Sequence, residues 1–160
     1  DDEDKKNILL KILKKLNEDN VPGYDIVILS NYTLGNNKNI LNDIDISQFY
    51  NIYDLANFEN DSILDKSQIK IKNKDTIYFS TTLAFQGLES KIIIYVDPLD
   101  TSYGSQIVND DRTTDAAHLL LFNAMGRANT FLYVLWDKIF ESWYDKRLKL
   151  LGNLMAKYEN

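Results

Sequence analysis

In the stretch Tyr24-Asp25-Ile26-Val27-Ile28-Leu29-Ser30, apolar side chains follow one another almost without interruption. A strand with one solvated face alternates apolar and polar residues, whereas a parallel strand covered on both faces is apolar nearly throughout. Pro22-Gly23 comes directly before this stretch and marks a turn. We therefore predict a buried parallel strand over residues 24–30.

The segment before this strand predicts an amphipathic helix. Between residues 5 and 19, apolar side chains recur at three- and four-residue spacing, which places them on one helix face. These side chains are Ile8, Leu9, Ile12, Leu13 and Leu16. We expect Pro22-Gly23 to end the helix and to turn the chain into the strand.

The segments after the first strand alternate between strand and helix patterns. We predict strands over about residues 50–54, 76–80, 92–96 and 131–136, and helices over about residues 39–45, 113–128 and 139–158. Residues 97–112 are polar and predict a long surface loop, while residues 57–75 carry no assignable pattern. This alternation predicts an α/β fold in which a mostly parallel sheet lies between helices. In such sheets, ligands bind beyond the carboxyl ends of the strands, so the loop after Ser80 is a candidate site.

Length and composition indicate one globular domain over residues 1–160. The chain is 44% hydrophobic and 26% charged, which suffices for a sizeable core. It has no cysteine and a single histidine, His118, so neither disulfides, thiol nucleophiles nor a histidine-built metal site are expected. The net charge of -6 disfavours a freestanding nucleic-acid binder, although such a domain can still supply a few contacts to a strand held mainly elsewhere.

The ends of the sequence suggest a cytoplasmic protein and a longer parent chain. No apolar run approaches the length of a membrane span, and the start, Asp1-Asp2-Glu3-Asp4, resembles neither a signal peptide nor a transit peptide. The first residue is not methionine, so we expect the chain to be a piece of a longer protein.

Residues 81–90 combine hydroxyl groups, one glycine and one acid between two predicted strands. The sequence is Thr81-Thr82-Leu83-Ala84-Phe85-Gln86-Gly87-Leu88-Glu89-Ser90. Gly87 permits a positive φ or a close approach to the backbone. Glu89 offers a carboxylate that can accept hydrogen bonds from sugar hydroxyls. Taken alone, the segment also fits a polar turn with Glu89 in solvent, and that alternative stays open.

A second unusual segment lies near a predicted strand at residues 131–136. It reads Leu120-Leu121-Phe122-Asn123-Ala124-Met125-Gly126-Arg127-Ala128-Asn129. Arginine is scarce in this chain, and its planar, permanently charged guanidinium suits phosphate recognition. A surface arginine near a helix carboxyl terminus is the alternative, since positive charge is favourable there.

Together the two segments resemble the carboxyl-terminal signature of UvrD-like superfamily 1 helicases. Motif V of that family has the form Thr-x-x-x-Phe-Lys-Gly-Leu-Glu followed by an apolar run, and residues 81–94 are similar to it. Motif VI reads roughly Leu-Leu-Tyr-Val-Ala-Leu-Thr-Arg-Ala-Lys before an apolar strand, and residues 120–135 are similar to that. Residues 21–29 extend the resemblance weakly toward the amino terminus, so it covers most of the chain.

The resemblance implies a three-layer RecA-like domain, the second motor domain of an ATP-dependent helicase or translocase. Arg127 would be the catalytic arginine finger, acting on the γ-phosphate of ATP. Gly87, Glu89 and Gln86 would bind the nucleotide, with Glu89 on the ribose. Thr81 and Thr82 would lie near the backbone of a single-stranded nucleic acid, for which DNA is preferred over RNA.

The resemblance also implies that the ATP and its Mg²⁺ are held mainly outside this chain. None of its glycines belongs to a Gly-x-x-x-x-Gly-Lys-Ser/Thr phosphate loop, so the chain lacks its own Walker A motif. The first RecA-like domain of the same parent protein would supply that loop. The chain alone is therefore not expected to be an active enzyme, and no metal ligands are assigned to it.

Three positions depart from the family pattern. Gln86 replaces the motif V lysine, Gly126 replaces the threonine before the arginine, and Asn129 replaces the following lysine. Each change removes a charge or a hydroxyl from a site that handles phosphate. They motivate an alternative, a degenerate and non-catalytic α/β interaction module descended from such a domain. An unrelated flavodoxin-like receiver is a weaker alternative, because the first strand does not end in clustered aspartates.

Overall fold

The computed structural model describes residues 2–56, 73–85, 87–96 and 126–135. The described residues contain one α-helix and five β-strands, together with two short 3₁₀ helices. In chain order, these elements are α1 (Asp2–Glu18), a 3₁₀ helix (Gly23–Asp25), β1 (Ile26–Ser30), a 3₁₀ helix (Ile40–Asp43), β2 (Asn51–Asp54), β3 (Thr76–Thr81), β4 (Ser90–Tyr95) and β5 (Ala128–Val134).

The five strands form one sheet in the order β2-β3-β1-β4-β5, and every neighbouring pair is parallel. β1 is the central strand, and Val27 lies level with Tyr78 of β3 on one side and Ile93 of β4 on the other. All five residues of β1 are buried. The predicted α/β class and the predicted buried parallel strand are therefore confirmed.

Helix α1 covers one face of the sheet. Leu9, Leu13 and Leu16 are its buried side chains, and they pack in a cluster with Ile26 and Ile28 of β1. Their four- and three-residue spacing places them in one stripe along the helix, which is the amphipathic pattern seen in the sequence. Burial of this stripe, more than intrinsic propensity, stabilises the helix.

The other face of the sheet carries a second apolar cluster, covered in part by the connection from β3 to β4. Phe85 of this connection is 3% exposed and packs with Val27, Leu29 and Ile93. Crossovers between parallel strands usually take about a dozen residues or more and contain a helix. Here only residues 82–89 join the strands, and the described ones form turns rather than a helix. The motif-bearing segment therefore runs directly across the sheet.

Gly23 fits closely against the start of β3. A Cβ atom on Gly23 would lie 2.5 Å from the carbonyl oxygen of Thr76. Its amide also donates to the carbonyl oxygen of Lys74 at 2.6 Å. The turn predicted at Pro22-Gly23 therefore requires glycine because two backbone segments meet there.

Several predicted boundaries differ from the observed ones. The helix predicted to run to residue 128 does not reach it, because Gly126 and Arg127 form a turn and Ala128 already belongs to β5. β5 thus begins three residues before the predicted start at residue 131. Pairing of Ala128 with Ser90 of β4 overrides the local helical pattern.

Smaller differences occur near β1 and β2. Residues 24 and 25 belong to a 3₁₀ helix rather than to β1, and the helix predicted over 39–45 is a 3₁₀ helix at Ile40–Asp43. The predicted loop at 97–112, most of the helix at 113–128 and the helix at 139–158 lie outside the described residues. No helix within the described ranges has the length and apolar character required to cross a lipid bilayer.

We predict that Phe85→Ala destabilises the protein far more than Leu83→Ala. The Phe85 ring is almost fully buried, whereas Leu83 lies in the same turn and is 61% exposed. Removing the buried ring should lower the free energy of unfolding by about 3 kcal/mol, and truncating Leu83 should change it by less than about 0.5 kcal/mol. Urea unfolding of both variants measures the difference, and equal losses would show that Phe85 does not anchor the connection.

Candidate functional site

The residues singled out in the sequence lie at two opposite edges of the sheet. Thr81 is the last residue of β3 and therefore lies at the carboxyl edge. Glu89 directly precedes β4, and Arg127 directly precedes β5, so both lie at the amino edge. Because all strands are parallel, the connection from Thr81 to Glu89 runs from one edge to the other.

At the amino edge, β4 and β5 bring Glu89 and Arg127 onto neighbouring strands. The Ser90 amide donates to the Arg127 carbonyl oxygen at 3.1 Å, and Ser90 lies level with Ala128. Asn129 Nδ2 donates to Glu89 Oε2 at 3.3 Å. Two segments far apart in the sequence, each with one motif, are therefore adjacent.

A bulge in β5 occurs beside these residues. Ser90 pairs with Ala128, but Ile92 pairs with Phe131, so one residue of β4 lies opposite two residues of β5. The two are Asn129 and Thr130, and the β4 residue between the paired positions is Lys91. A bulge of this kind bends the strand locally and redirects side chains. Asn129, which makes the contact with Glu89, is one of the two residues in this bulge.

Of the two positively charged side chains at the amino edge, Lys91 and Arg127, one is paired with an acidic residue and the other is not paired with any described residue. Lys91 Nζ forms an ion pair with Asp25 Oδ2 at 2.8 Å, and this hydrogen bond together with the Asp25 charge raises the pKa of Lys91. The half-buried Arg127 side chain, by contrast, forms no hydrogen bond or ion pair with another of the described residues. Arg127 is thus a permanent cation at this edge that can still receive an anionic ligand.

Gly87 occupies a conformation that favours glycine. Its φ is +84°, in the left-handed region, and no atom lies within 4 Å of the position that a Cβ would take. Of the two possibilities that the sequence leaves open for Gly87, the structure shows the positive φ, and it is the backbone conformation rather than close packing that requires glycine. Gly87 is also exposed, so its backbone is accessible to a ligand. Gln86 lies outside the described residues.

At the carboxyl edge, a buried hydrogen-bond network joins the ends of three strands. Thr82 is 3% exposed, and its hydroxyl lies 3.1 Å from Asn31 Oδ1 and 3.3 Å from the Ser30 carbonyl oxygen. The hydroxyl of the fully buried Tyr95 donates to the same Asn31 Oδ1 at 2.8 Å. The Thr82 amide adds a bond to the Ser30 carbonyl oxygen at 3.0 Å.

The two candidate threonines therefore have different environments. Thr82 is engaged inside the protein, whereas Thr81 is half-buried, and its hydroxyl oxygen accepts a hydrogen bond from the Ala84 amide at 3.3 Å. The Thr81 hydroxyl can still donate its proton to a ligand. Leu83 and Ala84, which follow in the same turn, are exposed. Of the two, Thr81 is the accessible side chain.

Sequence analysis did not single out Asn31 or Tyr95, although both organise the site. Asn31 was part of a segment with the composition of an ordinary polar loop, and Tyr95 was part of an apolar strand. The signal available was a tyrosine at the end of a buried strand, because a buried phenol needs a hydrogen-bond partner.

The arrangement at the amino edge is suited to binding a sugar phosphate. The Glu89 carboxylate can accept hydrogen bonds from vicinal hydroxyls, and the guanidinium of Arg127, which precedes the neighbouring strand, can donate to phosphate oxygens. Within the described ranges, no three His, Cys, Asp or Glu side chains are grouped so that they could hold a metal ion.

Comparison with known proteins does not identify a family. No protein-family model matches this sequence, and a search of curated proteins finds no match. The resemblance to UvrD-like helicases is therefore a resemblance of the two motif sequences alone.

We predict that Thr82→Val destabilises the protein more than Thr81→Val. Valine keeps the shape of threonine but removes the hydroxyl, which at residue 82 removes a buried hydrogen-bond donor, while the Ser30 carbonyl keeps the Thr82 amide and Asn31 Oδ1 keeps the Tyr95 hydroxyl as donors. The loss should be about 0.5 to 1.5 kcal/mol for Thr82→Val, the net value of one hydrogen bond, and less than about 0.5 kcal/mol for the more exposed Thr81→Val. Chemical denaturation measures both. A larger loss for Thr81→Val would contradict the assigned roles.

Proposed function

We propose that this chain is the second RecA-like domain of a UvrD-like superfamily 1 helicase or translocase. The proposal is supported by the resemblance of residues 81–94 and 120–135 to motifs V and VI. It is also supported by an all-parallel sheet that carries a helix on one face, an arrangement compatible with a three-layer RecA-like domain. In this proposal, the domain acts in the cytoplasm as one half of an ATP-driven motor.

One observation carries the proposal. Glu89 and Arg127, which the resemblance assigns to a single nucleotide, directly precede two paired strands and lie at the same sheet edge. The parallel pairing of β4 with β5 places both residues at one end of the sheet, as binding of a shared nucleotide requires. Glu89 would accept hydrogen bonds from the ribose, and Arg127 would donate to the γ-phosphate as charge develops in the transition state.

The residues of this edge fit one side of an ATP molecule. They offer a carboxylate for hydroxyl groups, a guanidinium for phosphate and an exposed backbone at Gly87. Bound ATP with Mg²⁺ supplies the phosphoryl group whose hydrolysis drives the motor. The phosphate loop and the metal ligands would come from the first RecA-like domain of the parent protein, so this domain would contribute Arg127 and Glu89 across the cleft.

Nucleic acid would bind at the opposite edge of the sheet. Thr81 lies at the carboxyl end of β3, and its hydroxyl can donate to a backbone phosphate. Thr82 would support this contact indirectly by fixing the turn to β1. Since the net charge of the chain is -6, the domain would add only a few contacts to a single-stranded nucleic acid that is held mainly by other domains. We propose DNA rather than RNA as this ligand.

The alternative is a non-catalytic α/β interaction module that derives from such a domain. It is favoured by Asn129, an uncharged residue where the family has lysine. The glutamine at position 86 and the glycine at position 126 point the same way. In that case, the amino edge would bind a partner without ATP turnover.

We predict that Arg127→Ala lowers the ATP turnover of the full-length protein by about 10³-fold or more, as expected for an arginine finger. The fold should stay intact, because the Arg127 guanidinium contacts no described residue through a hydrogen bond or ion pair. Steady-state ATPase assays with single-stranded DNA, together with thermal unfolding, measure both quantities.

Lys91→Ala is the matched control for this substitution. It also removes one positive charge from the amino edge, but Lys91 is paired with Asp25. Turnover should change by less than about threefold, as is usual for surface charges. If Arg127→Ala leaves turnover unchanged, the arginine-finger role is wrong and the non-catalytic module is favoured. Equal losses in both variants would indicate a general charge effect.

We also predict that Gly87→Ala impairs ATP turnover, whereas Gly35→Ala does not. The two glycines have nearly the same φ, +84° and +86°, and open space around the Cβ position. Each alanine should therefore cost about 1 kcal/mol of stability for the same conformational reason. Only Gly87 lies beside the proposed nucleotide. Unfolding and ATPase measurements test the pair, and equal turnover in the two variants would contradict a nucleotide-facing role for Gly87.

A further inference from the structure

The contact between Asn129 and Glu89 has a function of its own if the amino edge binds a nucleotide. We propose that Asn129 is a positioning residue that holds the Glu89 carboxylate toward the sugar and so makes the site selective for nucleoside triphosphates with an intact ribose. This inference rests on the proposed function and deepens it.

The backbone of β5 bulges at Asn129. Asn129 and Thr130 together lie opposite Lys91, so the strand contains an extra residue at this point. The Ser90 amide is bonded to the Arg127 carbonyl oxygen on the near side of the bulge. Asn129 therefore lies two residues after Arg127 in the same strand-start segment, whose backbone is bonded to Ser90. Its side-chain amide donates to Glu89, the residue before β4.

The hydrogen bond from Asn129 restricts the side chain of Glu89. Glu89 is exposed, and an exposed glutamate samples many rotamers that a ligand must restrict on binding. Asn129 Nδ2 donates to one carboxylate oxygen, Oε2, at 3.3 Å. The other oxygen, Oε1, retains its capacity to accept from a sugar hydroxyl. A carboxylate held in this way binds hydroxyls at a lower entropic cost.

The contact with Asn129 leaves the negative charge of Glu89 in place. Asn129 is neutral, so it orients the carboxylate without neutralising it, and a full negative charge makes the stronger hydrogen-bond acceptor. The nearest described cation on β4, Lys91, is paired with Asp25 at 2.8 Å. The Glu89 carboxylate is thus tethered by an amide while the charge that recognises the sugar is preserved.

The test compares ATP with 2′,3′-dideoxy-ATP as substrates of the full-length protein. For Asn129→Ala, KM for ATP should rise by about 2- to 10-fold, the value of one hydrogen bond. KM for the dideoxy nucleotide should stay unchanged, since that substrate offers Glu89 no hydroxyl, and kcat should stay within about twofold because Arg127 is untouched. Asn129→Gln, which keeps the amide, should recover most of the selectivity.

Two controls separate positioning from a structural effect. Thr130→Ala changes the other residue of the bulge and should leave the ratio of the two KM values as it is. In a Glu89→Ala background, which removes the acceptor altogether, Asn129→Ala should cause no further change in that ratio. A similar loss for Thr130→Ala, or an additive loss in the double variant, would overturn the proposal.

The outcomes distinguish the inference from the function on which it rests. If Arg127→Ala abolishes turnover while Asn129→Ala leaves the KM ratio unchanged, the motor assignment stands and the positioning role is wrong. If Arg127→Ala has no effect, or the full-length protein does not hydrolyse ATP, the motor assignment is wrong and the inference is overturned with it.

Discussion

The burial of β1 on both faces is the constraint on which the rest of the described structure depends. Ile26 and Ile28 face the α1 side, while Val27 and Leu29 face the β3–β4 connection, and none is more than 4% exposed. A strand buried on both faces must be paired on both sides, because unpaired backbone groups inside a protein are costly. β3 and β4 satisfy this need in parallel, and their register on β1 fixes where each begins and ends.

The same constraint separates the candidate site into two parts. In an all-parallel sheet, a connection must return from the carboxyl edge to the amino edge, so a segment between two strands presents its beginning and its end on opposite sides. Thr81 and Glu89 are separated in this way. Two ligands could then bind at opposite ends of one short segment without competing for space, if the residues at each end are fixed by separate contacts. The network around Asn31 serves this purpose at one edge, and the β5 bulge serves it at the other.

The predictable features of the fold were those that depend on local sequence pattern. Strand positions followed from apolar runs and α1 from helical spacing, because both periodicities reflect burial directly. Strand order and register could not be derived, since they depend on pairing between distant segments. Local pattern also failed where pairing with β4 draws Ala128 into a strand. The division between Thr81 and Thr82 depends on which of two identical side chains is buried, and the Asn129 contact depends on a bulge, so neither has a sequence signature.

Because the β3–β4 connection is short, the fold restricts how many residues it can lose. A fully extended chain spans at most about 3.3 to 3.6 Å per residue, and residues 82–89 use part of that reach in the turn held by Thr82 and Phe85. Removal of a residue would shorten this reach. A single deletion here would be taken up by sliding β4 along β1, and a one-residue slip exchanges the faces of every side chain, moving Tyr95 to the side of α1. Insertions, by contrast, could bulge into solvent, so the segment should accept added length far more readily than shortening.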